Sequence, residues 1–130
     1  MALVADLMSR TLHAAPAKTK VVEAATIMAR GNVGSTLVVE GGRPVGIFTE
    51  RDIVRALSQS PEAPGDEIGH WMTANPRTVS SSDSVEEALR RMLEGGFRHL
   101  PVVDAEGRLV GMLSMRDLAR AGVRGATAKT

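Results

Sequence analysis

Apolar positions recur along the chain with two different spacings, and the series of spacings occurs twice. Val21, Val22, Ala24, Ala25, Ile27 and Met28 fall at helical spacing and form a wide apolar face. This predicts a helix opened by Thr19, an N-cap residue type, and closed at Gly31-Asn32, which tolerate the left-handed conformation. Residues 35–39 and 44–48 are short runs rich in β-branched side chains. The Glu40-Gly41-Gly42-Arg43 turn between them predicts a hairpin. Residues 12–15 form a short extended candidate, and Thr49 opens a second predicted helix over 50–57. The second half reads the same way. It has an extended candidate at 77–80 and a helix opened by Ser84, with Glu87 at capping-box spacing. That helix closes at Gly95-Gly96. A strand at 100–103, a longer turn at 104–108, a strand at 109–113 and a helix over 115–121 opened by Ser114 complete it. Residues 58–66, rich in Ser, Pro and Gly, read as the connection. Residues 122–130, small and polar, read as a frayed end.

The likeness of the halves extends to residue identity. At an offset of 64, Met8 meets Met72, Val21 meets Val85, Glu23 meets Glu87, Ala24 meets Ala88, Met28 meets Met92, Gly31 meets Gly95, and Val38-Val39 meets Val102-Val103. One residue is added in the second turn. At an offset of 65, Arg43, Val45-Gly46, Arg51-Asp52 and Arg55-Ala56 then meet Arg108, Val110-Gly111, Arg116-Asp117 and Arg120-Ala121. Two copies are too few for a solenoid, and a unit of about 60 residues is marginal alone. The expected fold is therefore α+β: two β-α-β-β-α repeats packed sheet to sheet with pseudo-two-fold symmetry. Repeat one spans 1–60, a linker 61–65, repeat two 66–124 and a flexible tail 125–130.

Composition narrows the function. Apolar residues make up 43% of the 130 residues, as in a globular chain rather than a disordered one. No apolar run is long enough to span a bilayer, and residues 1–10 lack the basic start and apolar stretch of a signal peptide. A soluble cytoplasmic protein is the expectation. Sixteen basic side chains face fifteen acidic ones, and the aromatics are only Phe48, Trp71 and Phe97. Neither an electrostatic footprint nor a stacking platform for nucleic acid is present. There is no cysteine, hence no disulfide framework, thiolate nucleophile or sulfur-ligated metal. His13, His70 and His99 lack helical metal-ligand spacing, and no Gly-rich Lys loop marks a nucleoside triphosphatase. No metal site and no catalytic set are expected, so the chain reads as a non-enzyme.

The candidate chemistry lies at the second helix of each copy, in Thr49-x-x-Asp52 and Ser114-x-x-Asp117. That spacing is a helix-capping motif in its own right. It also sets an acceptor-only carboxylate and free backbone N–H groups at one helix opening. Arg51 and Arg116 follow in the first turn, where their charge opposes the helix dipole. Local stability does not explain them, whereas a nearby anion does. Met28 and Met92 read as core fillers, Glu23 and Glu87 as exposed first-turn acids, and Trp71 as packing for the start of the second copy. Gly46 and Gly111 fit close strand packing or close approach of a ligand.

Three duplicated segments resemble those of a tandem CBS-domain pair, the unit also called a Bateman module. They are Gly46-Ile47-Phe48-Thr49-Glu50-Arg51-Asp52-Ile53 with its echo Gly111-Met112-Leu113-Ser114-Met115-Arg116-Asp117-Leu118; Phe97-Arg98-His99-Leu100-Pro101-Val102-Val103-Asp104; and the Glu-Ala-x-x-x-Met helix of both copies. The resemblance covers about residues 3–122. It implies regulatory binding of adenosine-containing ligands (AMP, ADP, ATP, or S-adenosylmethionine) in two clefts between the repeats, with no cofactor required. It also implies a homodimer and a partner protein, of unknown identity, that responds to the ligand. The alternative is a ligand-free dimerisation or protein-interaction module.

The resemblance assigns Thr49, Arg51 and Asp52 of repeat one to a first cleft, with Thr78, Val79, Arg98, His99, Leu100 and Pro101 of repeat two. It assigns Ser114, Arg116 and Asp117 to a second cleft, with His13, Ala14, Ser35 and Thr36 of repeat one. In the family the carboxylate accepts hydrogen bonds from ribose hydroxyls. The first group is richer in phosphate-binding side chains and is expected to bind more tightly.

Overall fold

A computed structural model describes residues 2–126. The elements in order are α1 (Val4–Leu7), β1 (Ala14–Ala15), α2 (Val21–Gly31), β2 (Ser35–Glu40), β3 (Arg43–Thr49), α3 (Glu50–Gln59), β4 (Thr73–Ala74), β5 (Val79–Ser80), α4 (Val85–Gly95), β6 (His99–Val103), β7 (Leu109–Ser114) and α5 (Met115–Arg120). Two 3-10 turns, Ala63–Gly65 and Ile68–His70, precede β4. The fold is α+β with two sheets, ordered β1-β2-β3-β4 and β5-β6-β7. In each sheet a short parallel strand flanks an antiparallel hairpin. Both hairpins bulge at the same place, between Val38 and Val39 and between Val102 and Val103.

The turns close as their residues dictate. Gly41 and Gly42 both take positive φ, 59° and 79°, which matches the twist of a two-residue hairpin. In the longer second turn Asp104 Oδ1 accepts from the N–H groups of Glu106 and Arg108. Asn32 and Gly96 end α2 and α4 in the left-handed region.

Helix starts follow expectation less closely. α2 is capped at Lys20 rather than Thr19. The Thr19 carbonyl accepts from Ile68 N–H, and Glu23 returns to the Lys20 N–H at 2.9 Å. Ser84 caps α4 by accepting from Glu87 N–H at 3.1 Å. The reciprocal half of the capping box is not made, because the Glu87 carboxylate is taken by Arg90 and Arg91. Arg90 first, then Arg91, holds that carboxyl down to about 2.

Contacts divide the chain into two compact units that do not coincide with the sequence repeats. One is contiguous, His13–Pro76; the other is split, Met1–Leu12 with Arg77–Thr130. Each unit holds the hairpin and two helices of one repeat and the lead-in segment of the other. In the contiguous unit, the N–H groups of Val21, Ile68 and Gly69 donate to the carbonyls of Asp66, Thr19 and Ala17. In the split unit, those of Val85, Val4 and Ala5 donate to Ala2, Asp83 and Ser81. Each bond has its counterpart one repeat away. β4 pairs with β3 at Gly46 and Ile47, and Ser9 bridges Met112 at the matching place.

Close packing explains the two strand glycines. A Cβ on Gly46 would lie 2.3 Å from Met72 Sδ and 3.0 Å from the Thr73 carbonyl oxygen. A Cβ on Gly111 would lie 2.5 Å from Met8 Sδ and 3.0 Å from the Ser9 carbonyl oxygen. Both hollows are filled by the lead-in methionine.

Each unit has its own core. Val38, Phe48, Met28 and Ile68 anchor the contiguous one, and Met92, Leu100, Leu113 and Leu118 the split one. Residues 122–126, expected to be frayed, are instead ordered against the split unit. After α5, Gly122 and Gly125 take positive φ, the chain turns back, and Ala126 is fully buried in the split unit's core. Residues 127–130 of the expected tail lie outside the described residues.

Candidate functional site

In the contiguous unit the site begins at the junction of β3 and α3. Thr49 ends the strand and caps the helix, its Oγ1 accepting from Asp52 N–H at 3.2 Å. Asp52 Oδ2 in turn accepts from Thr49 N–H at 2.9 Å and from its hydroxyl at 3.1 Å. The Asp52 carboxylate is buried, with the residue 7% exposed, and Arg55 Nη2 donates to Oδ1 at 3.2 Å. Ser35 stands opposite Thr49 in the hairpin, and the Gly34 carbonyl accepts from Glu50 N–H. Arg51 is exposed.

Thr36 is fully buried opposite Phe48, so its side chain points to the helix-covered face. Its Oγ1 has no hydrogen-bond partner among the described residues. The His13 carbonyl accepts from Leu37 N–H, and its ring lies where a Cβ on Gly31 would sit. Ala14 is exposed, in register with Leu37.

The split unit repeats the frame with fewer bonds. Ser114 caps α5, accepting from Asp117 N–H at 3.0 Å, and Asp117 Oδ2 accepts from Ser114 N–H at 2.8 Å. His99 stands opposite Ser114, and the Arg98 carbonyl accepts from Met115 N–H. Partial burial lowers the His99 pKa; Asp117 opposes that shift, while Arg98 and Arg116 add to it. Within this unit, then, Arg98 and His99 share the hairpin end with Ser114, Arg116 and Asp117. The family resemblance assigns them to the group of Thr49, Arg51 and Asp52.

Thr78 is half-buried and its carbonyl accepts from Arg91 Nη1. Val79 and Leu100 belong to the core, and Pro101 is buried. For Val79, Leu100 and Thr36, packing already occupies the side chain, which leaves the main chain as the part able to meet a ligand.

Sequence reasoning missed Arg55 as a site residue. It lies three positions beyond Asp52 on one helix face, a spacing at which opposite charges meet. The contact carries Trp71 with it, since Arg55 Nη2 also donates to the Trp71 carbonyl at 2.6 Å. A groove of about 280 Å³ between α2 and α3, lined by Ala25, Met28, Ala29, Val33 and Ile53 among others, contains Glu50 but no cation. It does not suit a phosphate. Among the described residues no group of three or more His, Asp or Glu side chains is placed to hold a metal ion. No helix is long and apolar enough to cross a membrane.

A duplicated hairpin-and-helices frame, with a capped Thr/Ser-x-x-Asp at each hairpin end, defines a tandem CBS-type protein. The CBS domain family model matches the chain twice, at residues 4–59 and 67–124, and the chain belongs to that family. It is 38% identical over 120 residues to an uncharacterised 17.7 kDa protein of Acidianus ambivalens, covering 91% of this chain and 71% of that protein.

Among solved structures it is similar to CBSX2 of Arabidopsis thaliana in complex with AMP (30% identity, TM-score 0.84, 95% of this chain and 97% of that one). It is equally similar in sequence to the CBS domain pair of protein MJ0100 in complex with 5′-methylthioadenosine and S-adenosyl-L-methionine (30% identity, TM-score 0.80, 93% and 99%). Some other curated relatives are much longer. The chain spans 30% of arabinose 5-phosphate isomerase KdsD of Pseudomonas aeruginosa, to which it is 41% identical over 97 residues, 74% of this chain.

Proposed function

We propose that this chain is a non-catalytic regulatory module that binds adenine nucleotides through Asp52 and Asp117 and passes the occupancy to a partner protein. One observation carries the reading. Each repeat presents a carboxylate whose Oδ2 is fixed by its own helix cap, in a chain similar over nearly its whole length to CBS pairs solved with adenosine-containing ligands. A carboxylate held this way pays little ordering entropy when it accepts sugar hydroxyls. Arg51 and Arg116, unfavourable to the helix dipole, supply charge for a phosphate. Thr78, Arg98, His99 and the main chain of Val79, Leu100 and Pro101 complete the first group, and His13, Ala14, Ser35 and the main chain of Thr36 the second. A ligand can bias the module only by its differential affinity for two states.

Isothermal titration with AMP, ADP, ATP and S-adenosylmethionine tests this reading. Heat of binding with at least one of them is the expected result. Asp52→Ala and Asp117→Ala should each weaken one site by roughly 1.5–3 kcal/mol. Absence of heat and of any thermal shift with all four would refute it, since a binder must stabilise the folded state by mass action.

A second reading, an interaction module, has its own support. Val54 is 67% exposed and Leu57 53% on α3, and Val22 is 52% exposed on α2. Three large apolar side chains in water suit a second copy or a partner. Light scattering on the full chain should give a dimer mass that Val54→Lys/Leu57→Lys reduces to monomer.

A further inference from the structure

The two carboxylates differ in how much acceptor capacity remains open. An ionised carboxylate has about four lone-pair sites. Asp52 uses two on Oδ2, for the Thr49 N–H and hydroxyl, and one on Oδ1, for Arg55 at 3.2 Å. Asp117 uses one on Oδ2, for the Ser114 N–H, and among the described residues nothing donates to its Oδ1. A ribose offering two hydroxyls finds room on Asp117, but room for only one on Asp52.

Arg55 is held there by more than Asp52. The same Nη2 donates to the Trp71 carbonyl at 2.6 Å, and the guanidinium lies over the indole, 5.3 Å from its centroid. Trp71 Nε1 donates to Asp66 Oδ2 at 3.1 Å, which fixes the ring. The other repeat provides an internal control. Arg120 stands three residues after Asp117 as Arg55 does after Asp52, but Leu7 occupies the position that corresponds to Trp71. Without an indole platform, Arg120 makes no ion pair among the described residues, while Arg55 does. The spacing of charges alone therefore does not close the contact, and at Arg55 the Trp71 carbonyl and indole add to it.

We propose that Arg55, seated on Trp71, is a latch on the Asp52 carboxylate that a nucleoside must displace to place both ribose hydroxyls there. The Asp52 site is then the weaker, switchable one and the Asp117 site the open one. This order reverses the ranking drawn from the phosphate-binding side chains. It rests on the nucleotide reading, and Arg55 acts in it as a positioning residue.

Trp71 is the only tryptophan of the chain, so its emission reports this latch directly. The experiment titrates adenosine, which has no phosphate to respond to a lost positive charge, into the full chain, followed by calorimetry and by Trp71 emission. Arg55→Met keeps an apolar stem against the indole and removes the guanidinium; Arg55→Lys keeps the charge and loses the fork.

In the wild type, emission should change at the weaker of two calorimetric steps. Arg55→Met should tighten that step by about two- to fivefold, the range for a partly exposed ion pair, and leave the other step unchanged. One equivalent bound by the wild type becoming two in Arg55→Met supports the latch equally. Two equivalents bound with silent emission, or Arg55→Met and Arg55→Lys both binding as the wild type does, overturns the latch while the nucleotide reading stands. If neither adenosine nor AMP binds the wild type or either variant, the nucleotide reading fails and the latch with it.

Discussion

Gly46→Ala tests the seating of the lead-in segment on the opposite repeat. The added Cβ would stand 2.3 Å from Met72 Sδ and 3.0 Å from the Thr73 carbonyl oxygen. The thioether is the end of a flexible side chain and can swing away, leaving a packing fault. The carbonyl belongs to the β3–β4 ladder and moves only with the strand. Inserting a methyl into so tight a place costs about 1–3 kcal/mol. Gly46 has no positive φ, so alanine returns about 0.4–1 kcal/mol by restricting the unfolded chain. The net loss is roughly 0.5–2 kcal/mol. For a chain of this size that lowers Tm by about 2–8 °C, measured by circular dichroism melting and checked by urea titration.

Gly46→Ala/Met72→Ala supplies the decisive comparison. If Met72 fills the hollow, the double variant is less destabilised than the sum of the singles, with a coupling of at least about 0.5 kcal/mol. Strict additivity, or a Gly46→Ala protein as stable as the wild type, would refute the packing argument. Gly111→Ala should behave alike with Met8 as its partner.

Thr36→Val replaces a buried, unpartnered hydroxyl with a methyl of the same shape, and should raise stability by about 1 kcal/mol in urea denaturation. Replacement of Asp52 by Ala, besides weakening nucleotide binding, removes one of the partners that hold Arg55 over the indole and should alter Trp71 emission without ligand; the same change at Asp117 should not. The His99 pKa lies below its ordinary 6.5 because of burial, so the unfolded chain binds more protons than the native one below about that pH. The linkage sign then makes stability fall as pH drops below roughly 6.5 and leaves it independent of His99 above. His99→Gln should flatten that part of the slope in urea midpoints taken across the range.

What the sequence made legible is what local chemistry determines. The hairpins, with Gly41-Gly42 and Asp104 in their turns, and the helices opened by Thr49, Ser84 and Ser114 follow from periodicity and capping. The missed elements, α1 and β4, are four and two residues long. They have too few positions for any period, and exist because Val4 and Met72 reach into cores built by distant residues. Thr19 was displaced as a cap for the same reason, its carbonyl being taken by Ile68 from the other repeat's lead-in.

At the site, the Thr/Ser-x-x-Asp frames were readable because a cap is local. The engagement of Asp52 by Arg55 was half readable, from the i, i+3 spacing. The other half depends on Trp71, sixteen residues away in sequence, and no spacing rule reaches that far.

The exchange of lead-in segments changes what counts as a separable piece of this protein. A fragment comprising repeat one alone would carry a hydrophobic hollow at Gly46 and unpaired groups on Ala17 and Thr19, with nothing of its own downstream to cover them. The stretch 13–76, although it starts and stops inside different repeats, brings its own cover along. Gene duplication here did not place two finished modules side by side; it made each half the supplier of the other's missing wall.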